Sequence, residues 1–176
     1  MEILGKQDIK KKKKLENIYN MIFEISSKKG QIGEDIFQEF MEGEGWIVYK
    51  PDKKDKPHYF DMMCTFEKEK AVAFDVKTKT RLKSGGKFKF DAQGFNKKHF
   101  EQYLNFTKKI NIPFFVIFID SLSGDVMCIN IEKLKKLESI EVNKDIIAWY
   151  VKDMQFIFKL TAAQIDYLSK YTQINE

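Results

Sequence analysis

The chain has 176 residues and a formal net charge of +5, with 43% hydrophobic and 32% charged residues. This length and balance are typical of one globular domain with a buried core. Two cysteines, Cys64 and Cys128, and two histidines are too few for a disulfide framework, a cysteine-held zinc site or a multi-histidine cage. No apolar run reaches the length of a membrane span and no secretory signal is visible, so we expect a cytoplasmic protein without membrane contact.

Charge is unevenly distributed along the chain. The local charge is +4 over residues 1–14, −5 over 15–75, +8 over 76–110 and −2 over the remainder. A basic block directly after an acidic one is typical of a polyanion-binding face beside a carboxylate cluster. Nucleic acid is the expected partner, although lysine excess also fits an AT-rich genome and a charge run is often only a solvated face.

The first half of the chain is predicted to hold helices followed by strands. Apolar residues at helical spacing predict helices over about 8–26 and 31–43, with a break from Ser26 to Gly30. Three strands are expected next, at residues 46–49, 60–66 and 71–78. A charged loop at 51–58 and a tight turn at 67–70 separate them.

The second half continues the alternation of helices and strands. Residues 81–95 read as a flexible basic loop, and 96–110 as a helix. The unbroken apolar run Phe114–Ile119 predicts a central strand buried on both faces. Thr161 and Gln164 predict a capping box for a final helix to about 172. Weaker elements are expected in between, as strands at 126–131, 146–151 and 155–160 and a short helix at 132–138. The order predicts a single α/β domain, residues 1–176, around a mixed sheet.

Charged side chains interrupt the apolar strand that ends near residue 78. With a two-residue period, Asp75 and Lys77 project from one face of that strand and Phe74 and Val76 from the other. The predicted turn at 67–70 makes the preceding strand antiparallel, so Asp61 can lie near Asp75. Two neighbouring carboxylates with only oxygen donors around them favour a hard dication such as Mg²⁺ or Mn²⁺.

A third acid can join this pair from the second predicted helix. At 100° per residue, Glu34 lies at the edge of the buried stripe of that helix and can lean towards the sheet. The alternative is an ordinary first-turn carboxylate stabilised by the helix dipole.

Four segments together resemble a known superfamily. Gly33-Glu34 opens a helix, Gly45-Trp46-Ile47-Val48 follows, and then come Asp61 and Phe74-Asp75-Val76-Lys77. In order and spacing they resemble the PD-(D/E)xK nucleases, in particular the Holliday-junction-resolvase and restriction-endonuclease-like branches, over about residues 30–130. Phe60 stands where the superfamily has a proline, and Asp75 where glutamate is commoner. The resemblance implies a restriction-endonuclease-like layered fold, with a central mixed sheet flanked by helices.

The resemblance also implies a metal-dependent phosphodiesterase site. Asp61 and Asp75, with the Val76 carbonyl, would hold one or two Mg²⁺ ions (Mn²⁺ as substitute), and Glu34 would complete the shell directly or through water. Lys77 would position or deprotonate the attacking water and help to neutralise the scissile phosphate. A homodimer is implied by the family's paired cuts, and no organic cofactor is expected.

The residues expected to contact DNA begin where the catalytic strand ends. They are mostly basic and lie in or just after the basic block: Lys79, Arg81, Lys83, Lys87, Lys97, Lys98 and Gln102. Arginine forks commonly read guanine, and Arg81 is the single arginine of the chain. This shortage favours structure- or end-directed cleavage over sequence-specific cleavage, although codon bias would produce it too.

The sequence is also compatible with other functions and with other roles for these residues. The same fold could carry a non-catalytic nucleic-acid-binding module, a restriction-type enzyme, or an interaction protein whose lysines only keep it soluble. Asp75 and Lys77 could form a plain salt bridge, and His99 could be a partly buried helix residue. Gln102 and Tyr103 could contact water or phosphate.

Overall fold

A mixed six-stranded sheet forms the centre of this computed structural model, which describes residues 2–52, 58–66, 71–86 and 88–171, with side chains from residue 12 onwards. The elements described are, in chain order, α1 (Glu2–Gly43), β1 (Ile47–Tyr49), β2 (Met62–Thr65), β3 (Val72–Lys79), β4 (Ala92–Asn96), α2 (Lys97–Ile110), β5 (Phe114–Asp120), β6 (Asp125–Asn130), α3 (Ile131–Leu134), β7 (Ile140–Glu141), β8 (Ile146–Tyr150), the 3₁₀ turn Val151–Asp153, β9 (Gln155–Lys159) and α4 (Ala162–Ser169).

The central sheet has the strand order β1-β2-β3-β5-β6-β9. β3 and β5 are parallel, and the other neighbouring pairs are antiparallel. A second, three-stranded sheet has the order β4-β8-β7. The expected central mixed sheet flanked by helices is therefore confirmed.

Apolar side chains pack on both faces of the central sheet. On one face, α1 contributes Ile36 and Phe37 to a cluster that includes Phe74 and Val76 of β3. On the other face, a second cluster joins α2, β4, β5 and β8 through side chains that include Phe95, Tyr103, Phe114, Phe118 and Trp149. β3 is thus buried from both sides and alternates as its sequence predicts.

Two predictions about helices and loops are wrong. α1 runs without interruption through the predicted break at Ser26–Gly30. The predicted basic loop is a loop only to residue 91, because residues 92–96 form β4 and pair with β8. Gly94 is required there, since a Cβ on it would lie 2.3 Å from the carbonyl oxygen of Ile147. The predicted turn at 67–70 lies outside the described residues.

The C-terminal capping box is confirmed. The Thr161 amide donates a hydrogen bond to Gln164 Oε1 at 2.9 Å, and the Gln164 amide donates one to Thr161 Oγ1 at 3.3 Å. α4 starts at this box and buries Leu168. Across the described residues, every helix is too short or too polar to cross a bilayer.

Candidate functional site

Asp75 and Lys77 form a buried ion pair on the face of β3 opposite to α1. Lys77 Nζ lies 2.7 Å from Asp75 Oδ2, and the two side chains are 17% and 6% exposed. The parallel register places Asp75 beside Val116 and Lys77 beside Phe118 of β5, so apolar neighbours surround the pair. The predicted projection of both charged side chains from one face is confirmed.

Asp61 is joined to the same segment by two hydrogen bonds. Its amide donates to the Phe74 carbonyl at 2.9 Å, and the Val76 amide donates to Asp61 Oδ2 at 2.7 Å. Asp61 reaches this position because it directly precedes β2, whose first residue Met62 pairs with Phe74 of β3. The Asp61 carboxylate therefore lies against the main chain between the two charged residues of β3, as the antiparallel arrangement predicted.

The two carboxylates act together on Lys77. Burial alone would lower the pKa of the Lys77 ammonium, but the negative charges of Asp75 and Asp61 outweigh burial and raise that pKa above its ordinary value. Lys77 is therefore a cation at neutral pH. A cation suits the role of neutralising a phosphate, and the positioning or deprotonation of water by Lys77 stays a prediction.

Tyr103 of α2 completes the surroundings of the ion pair. It is 4% exposed, and its ring centroid lies 4.8 Å from that of Phe114 and 5.7 Å from Lys77 Nζ. Burial raises the pKa of its hydroxyl, and the hydroxyl interacts with both Asp75 and Lys77. Sequence reasoning offered this residue only as a contact for water or phosphate. Helical spacing along α2 does place Tyr103 on the buried face, but nothing in the sequence ties it to β3.

Glu34 lies near the end of β3, but its helix α1 packs on the face of the sheet opposite to the ion pair. α1 packs there so closely that a Cβ on Gly33 would lie 1.8 Å from Thr78 Oγ1. Since Thr78 alternates with Lys77 along the strand, this contact is on the face away from the ion pair. Glu34 itself is half-buried. Its part in the site stays a prediction.

A divalent cation at this site would need several oxygen ligands close together. Over the described residues, no three or more acidic, histidine or cysteine side chains are grouped so that they could hold a metal ion. The predicted completion of the shell by Glu34, directly or through water, therefore stays a prediction. Two carboxylates and a carbonyl remain at Asp61, Asp75 and Val76, and this all-oxygen set fits Mg²⁺, which is commonly held by one or two carboxylates and several waters.

Positive charge is concentrated beside the ion pair. Lys79 lies two residues further along β3, and its Nζ donates to the Gly94 carbonyl at 3.5 Å. Burial lowers the pKa of both Lys79 and His99, and the neighbouring Lys77 ammonium lowers each further. The neighbouring Lys77 and Lys79 ammonium groups concentrate positive charge here, which favours a phosphate.

Arg81 does not have the role that the sequence predicted. Its guanidinium donates hydrogen bonds to Asp120 and Asp125 and, at 2.7 Å, to Ser123 Oγ. Its side chain is 12% exposed and that of Asp120 is 1% exposed. Burial raises the pKa of Asp125, but hydrogen bonds from Ser123 and Arg81 outweigh burial and hold the pKa below its usual range. Arg81 therefore fastens the start of the basic loop to the β5–β6 turn and is not available to DNA.

The other residues predicted to contact DNA are more accessible. Lys83 and Lys98 are exposed and Gln102 is half-buried. Lys79 is exposed over its side chain as a whole, although the surrounding protein partly desolvates its ammonium group. Ion pairs engage two of the lysines, Lys83 with Asp91 at 3.2 Å and Lys97 with Glu141 at 2.5 Å. Such surface pairs contribute about 0–1 kcal/mol, so a phosphate can replace the carboxylate. Lys87 lies outside the described residues.

The chain resembles solved structures in its fold, although its sequence matches no known family. No protein-family model and no curated protein matches the chain. The chain is similar to the 1.6 Å structure of Hjc, a Holliday junction resolvase from the archaeal hyperthermophile Archaeoglobus fulgidus, with a TM-score of 0.49 and 12% identity. The match covers 78% of this chain and 94% of that chain. A likeness of this size says nothing about chemistry, which has to come from the residues themselves.

Proposed function

We propose that the chain is a metal-dependent DNA endonuclease that hydrolyses phosphodiester bonds and recognises DNA structure or ends rather than sequence, in the manner of a resolvase. The observation that carries the proposal is the group formed by buried Asp75 with half-buried Asp61 and Lys77. An ion pair of 2.7 Å joins Lys77 to Asp75, and a hydrogen bond of 2.7 Å joins Asp61 to the intervening Val76 amide. Burying charges is costly unless they are paired or serve a ligand. Exposed lysines next to the group supply the charge that holds a DNA backbone.

In this proposal each residue has a defined task. Asp61, Asp75 and the Val76 carbonyl hold Mg²⁺ or Mn²⁺, which when bound makes water more acidic and offsets charge on the phosphate. Lys77, a cation paired with Asp75, orients and neutralises the scissile phosphate. Lys79, Lys83 and the lysines at the start of α2 hold the backbone on either side. A homodimer would allow two strands to be cut in one complex.

One observation favours a second candidate, a non-catalytic DNA-binding module. Lys77 neutralises Asp75, and Asp75 is only 4% exposed. A cation has to displace that ammonium, or the carboxylate has to turn, before a metal can contact both aspartates. If neither happens, the buried group is a structural ion pair beneath a basic surface.

The deciding experiment is a cleavage panel. Supercoiled plasmid, linear duplex, single strands and four-way junctions are incubated with the protein in Mg²⁺, in Mn²⁺ or in EDTA. We expect metal-dependent nicking, most rapid on branched DNA, and loss of cutting with retained DNA binding in Asp75→Asn. Binding without cutting in both metals would establish the second candidate instead.

A further inference from the structure

The N-terminal part of α1 extends beyond the sheet. From residue 12 to residue 29, called the arm here, most side chains are exposed, whereas Ile32 and Ile36 further along are buried in the core. At a rise of 1.5 Å per residue the arm is about 27 Å long. In proteins most helical stability comes from the packing of an apolar face rather than from propensity.

The arm carries an apolar stripe on one face. Leu15, Ile18, Ile22 and Ile25 follow one another at spacings of three, four and three residues, which confines them to an arc of about 80°. Leu15 is 61% exposed and Ile18 is 41% exposed, while Ile22 and Ile25 are half-buried. The stripe lies in line with the face that buries Ile36. It is therefore core-like surface, and no described element covers it.

The stripe is complementary to itself. Its spacing is the same in both directions about residue 20, so Leu15 corresponds to Ile25 and Ile18 to Ile22. If two arms pack side by side in opposite directions around a twofold axis near residue 20, every stripe residue faces a stripe residue of the other chain. A twofold interface requires this self-complementarity, because the same patch is used on both subunits.

The size of the arm's apolar face also suits a second copy. Leu15, Ile18, Tyr19 and Met21 are between 41% and 70% exposed, and such side chains with their Ile neighbours offer on the order of 500 Å² per chain. A standard interface buries about 800 Å² per partner, so paired arms supply most of that area. The middle of the stripe is free of like charge, but the twofold brings the lysines at 12–14 of one copy near those at 28–29 of the other. The apolar contact along the middle therefore has to outweigh that repulsion.

We propose that the chain forms a twofold homodimer in which the arms of two copies pack antiparallel through the stripe Leu15, Ile18, Ile22 and Ile25. The interface belongs to the homodimer of the proposed function, but it needs neither metal nor DNA. Its test is therefore independent of whether the protein cuts DNA.

The first test measures mass. Sedimentation of the full chain in EDTA, without DNA, is expected to give twice the 20.8 kDa of one chain. Ile18→Glu/Ile22→Glu places carboxylates opposite one another across the seam and is expected to give a single chain. Phe23→Glu is the matched control, because Phe23 is 64% exposed but lies about 120° from the centre of the stripe and should leave the dimer intact. Circular dichroism verifies that both variants fold.

The second test measures direction. In a background with Cys64→Ala and Cys128→Ala, Leu15→Cys and Ile25→Cys proteins are treated with a short bismaleimide, alone and mixed. The antiparallel arrangement predicts cross-linked dimer in the mixture and little in either protein alone. A monomeric wild type, a stripe variant that dimerises like the wild type, or efficient cross-linking of Leu15→Cys with itself would each overturn the proposal.

Discussion

Replacing Lys77 by methionine should lower the free energy of unfolding by about 3 kcal/mol. The variant keeps the volume of the side chain but removes the cation that lies 2.7 Å from Asp75 Oδ2. Breaking one side of a buried pair costs about 3–5 kcal/mol, because the remaining charge loses its counter-ion without gaining water. The Lys77 side chain is 17% exposed, which admits some solvent and places the effect at the lower end of that range.

The assay is equilibrium urea unfolding in EDTA, followed by circular dichroism, with Asp75→Asn and the double variant measured beside Lys77→Met. The double variant has no buried charge left unpaired, so it should recover about 2 kcal/mol relative to the sum of the single effects. A Lys77→Met protein within about 0.5 kcal/mol of the wild type, or additive single effects, would refute the buried pair.

Three further predictions concern the scaffold. In thermal unfolding, Gly33→Ala should destabilise the protein by about 1–2 kcal/mol, because the new Cβ would lie 1.8 Å from Thr78 Oγ1. Gly30→Ala is the control: its Cβ meets nothing within 4 Å, so it should stabilise the protein by up to about 1 kcal/mol. Arg81→Lys should lower the urea midpoint, since an ammonium cannot replace a guanidinium fork that holds two carboxylates. Because folding lowers the pKa of Asp125, its ionised carboxylate stabilises the folded state at pH values above the ordinary aspartate pKa of about 3.9. That stabilisation is lost as the pH falls through the lower pKa of the folded state. Asp125→Asn should therefore reduce the fall in stability on the acid side of the pH curve.

Patterns that depend on local spacing were read correctly from the sequence. The alternation of β3 predicted that Asp75 and Lys77 share a face, and the structure confirms it. The Thr161–Gln164 capping box is confirmed in the same way. Such signals are contained within a few residues of chain, so no knowledge of distant neighbours is needed.

The continuous α1 shows how weak local signals can mislead. Serine and glycine cost a helix at most about 1 kcal/mol each, which the packing of a long apolar face readily offsets. The informative signal was the helical spacing of the apolar residues across the expected break. Ile22 and Ile25 before it and Ile32 and Ile36 after it lie on the same side of one continuous helix. β4 was missed for the opposite reason, since its pairing with β8 is decided by residues 50 to 58 positions away.

The roles of Arg81 and Tyr103 also depend on distant parts of the chain. Arg81 lies in a basic block, but the carboxylates that bind it are 39 and 44 residues further along. Tyr103 contacts the ion pair only because α2 packs on the same face of the sheet as Asp75 and Lys77. The sequence predicted that Arg81 contacts DNA because it shows the positive charge of the residue but not the carboxylates that neutralise it in the fold.

The most direct test of the central claim compares the wild type with Asp61→Asn on a four-way junction under single-turnover conditions in Mg²⁺. Asparagine keeps an oxygen that can accept the Val76 amide hydrogen bond, so the variant should fold and bind DNA while losing the charge that a metal requires. We expect the cleavage rate to fall at least about 100-fold, as for the loss of a group that stabilises transition-state charge. Equal cleavage rates for the two proteins would contradict the assignment of this group as the catalytic site.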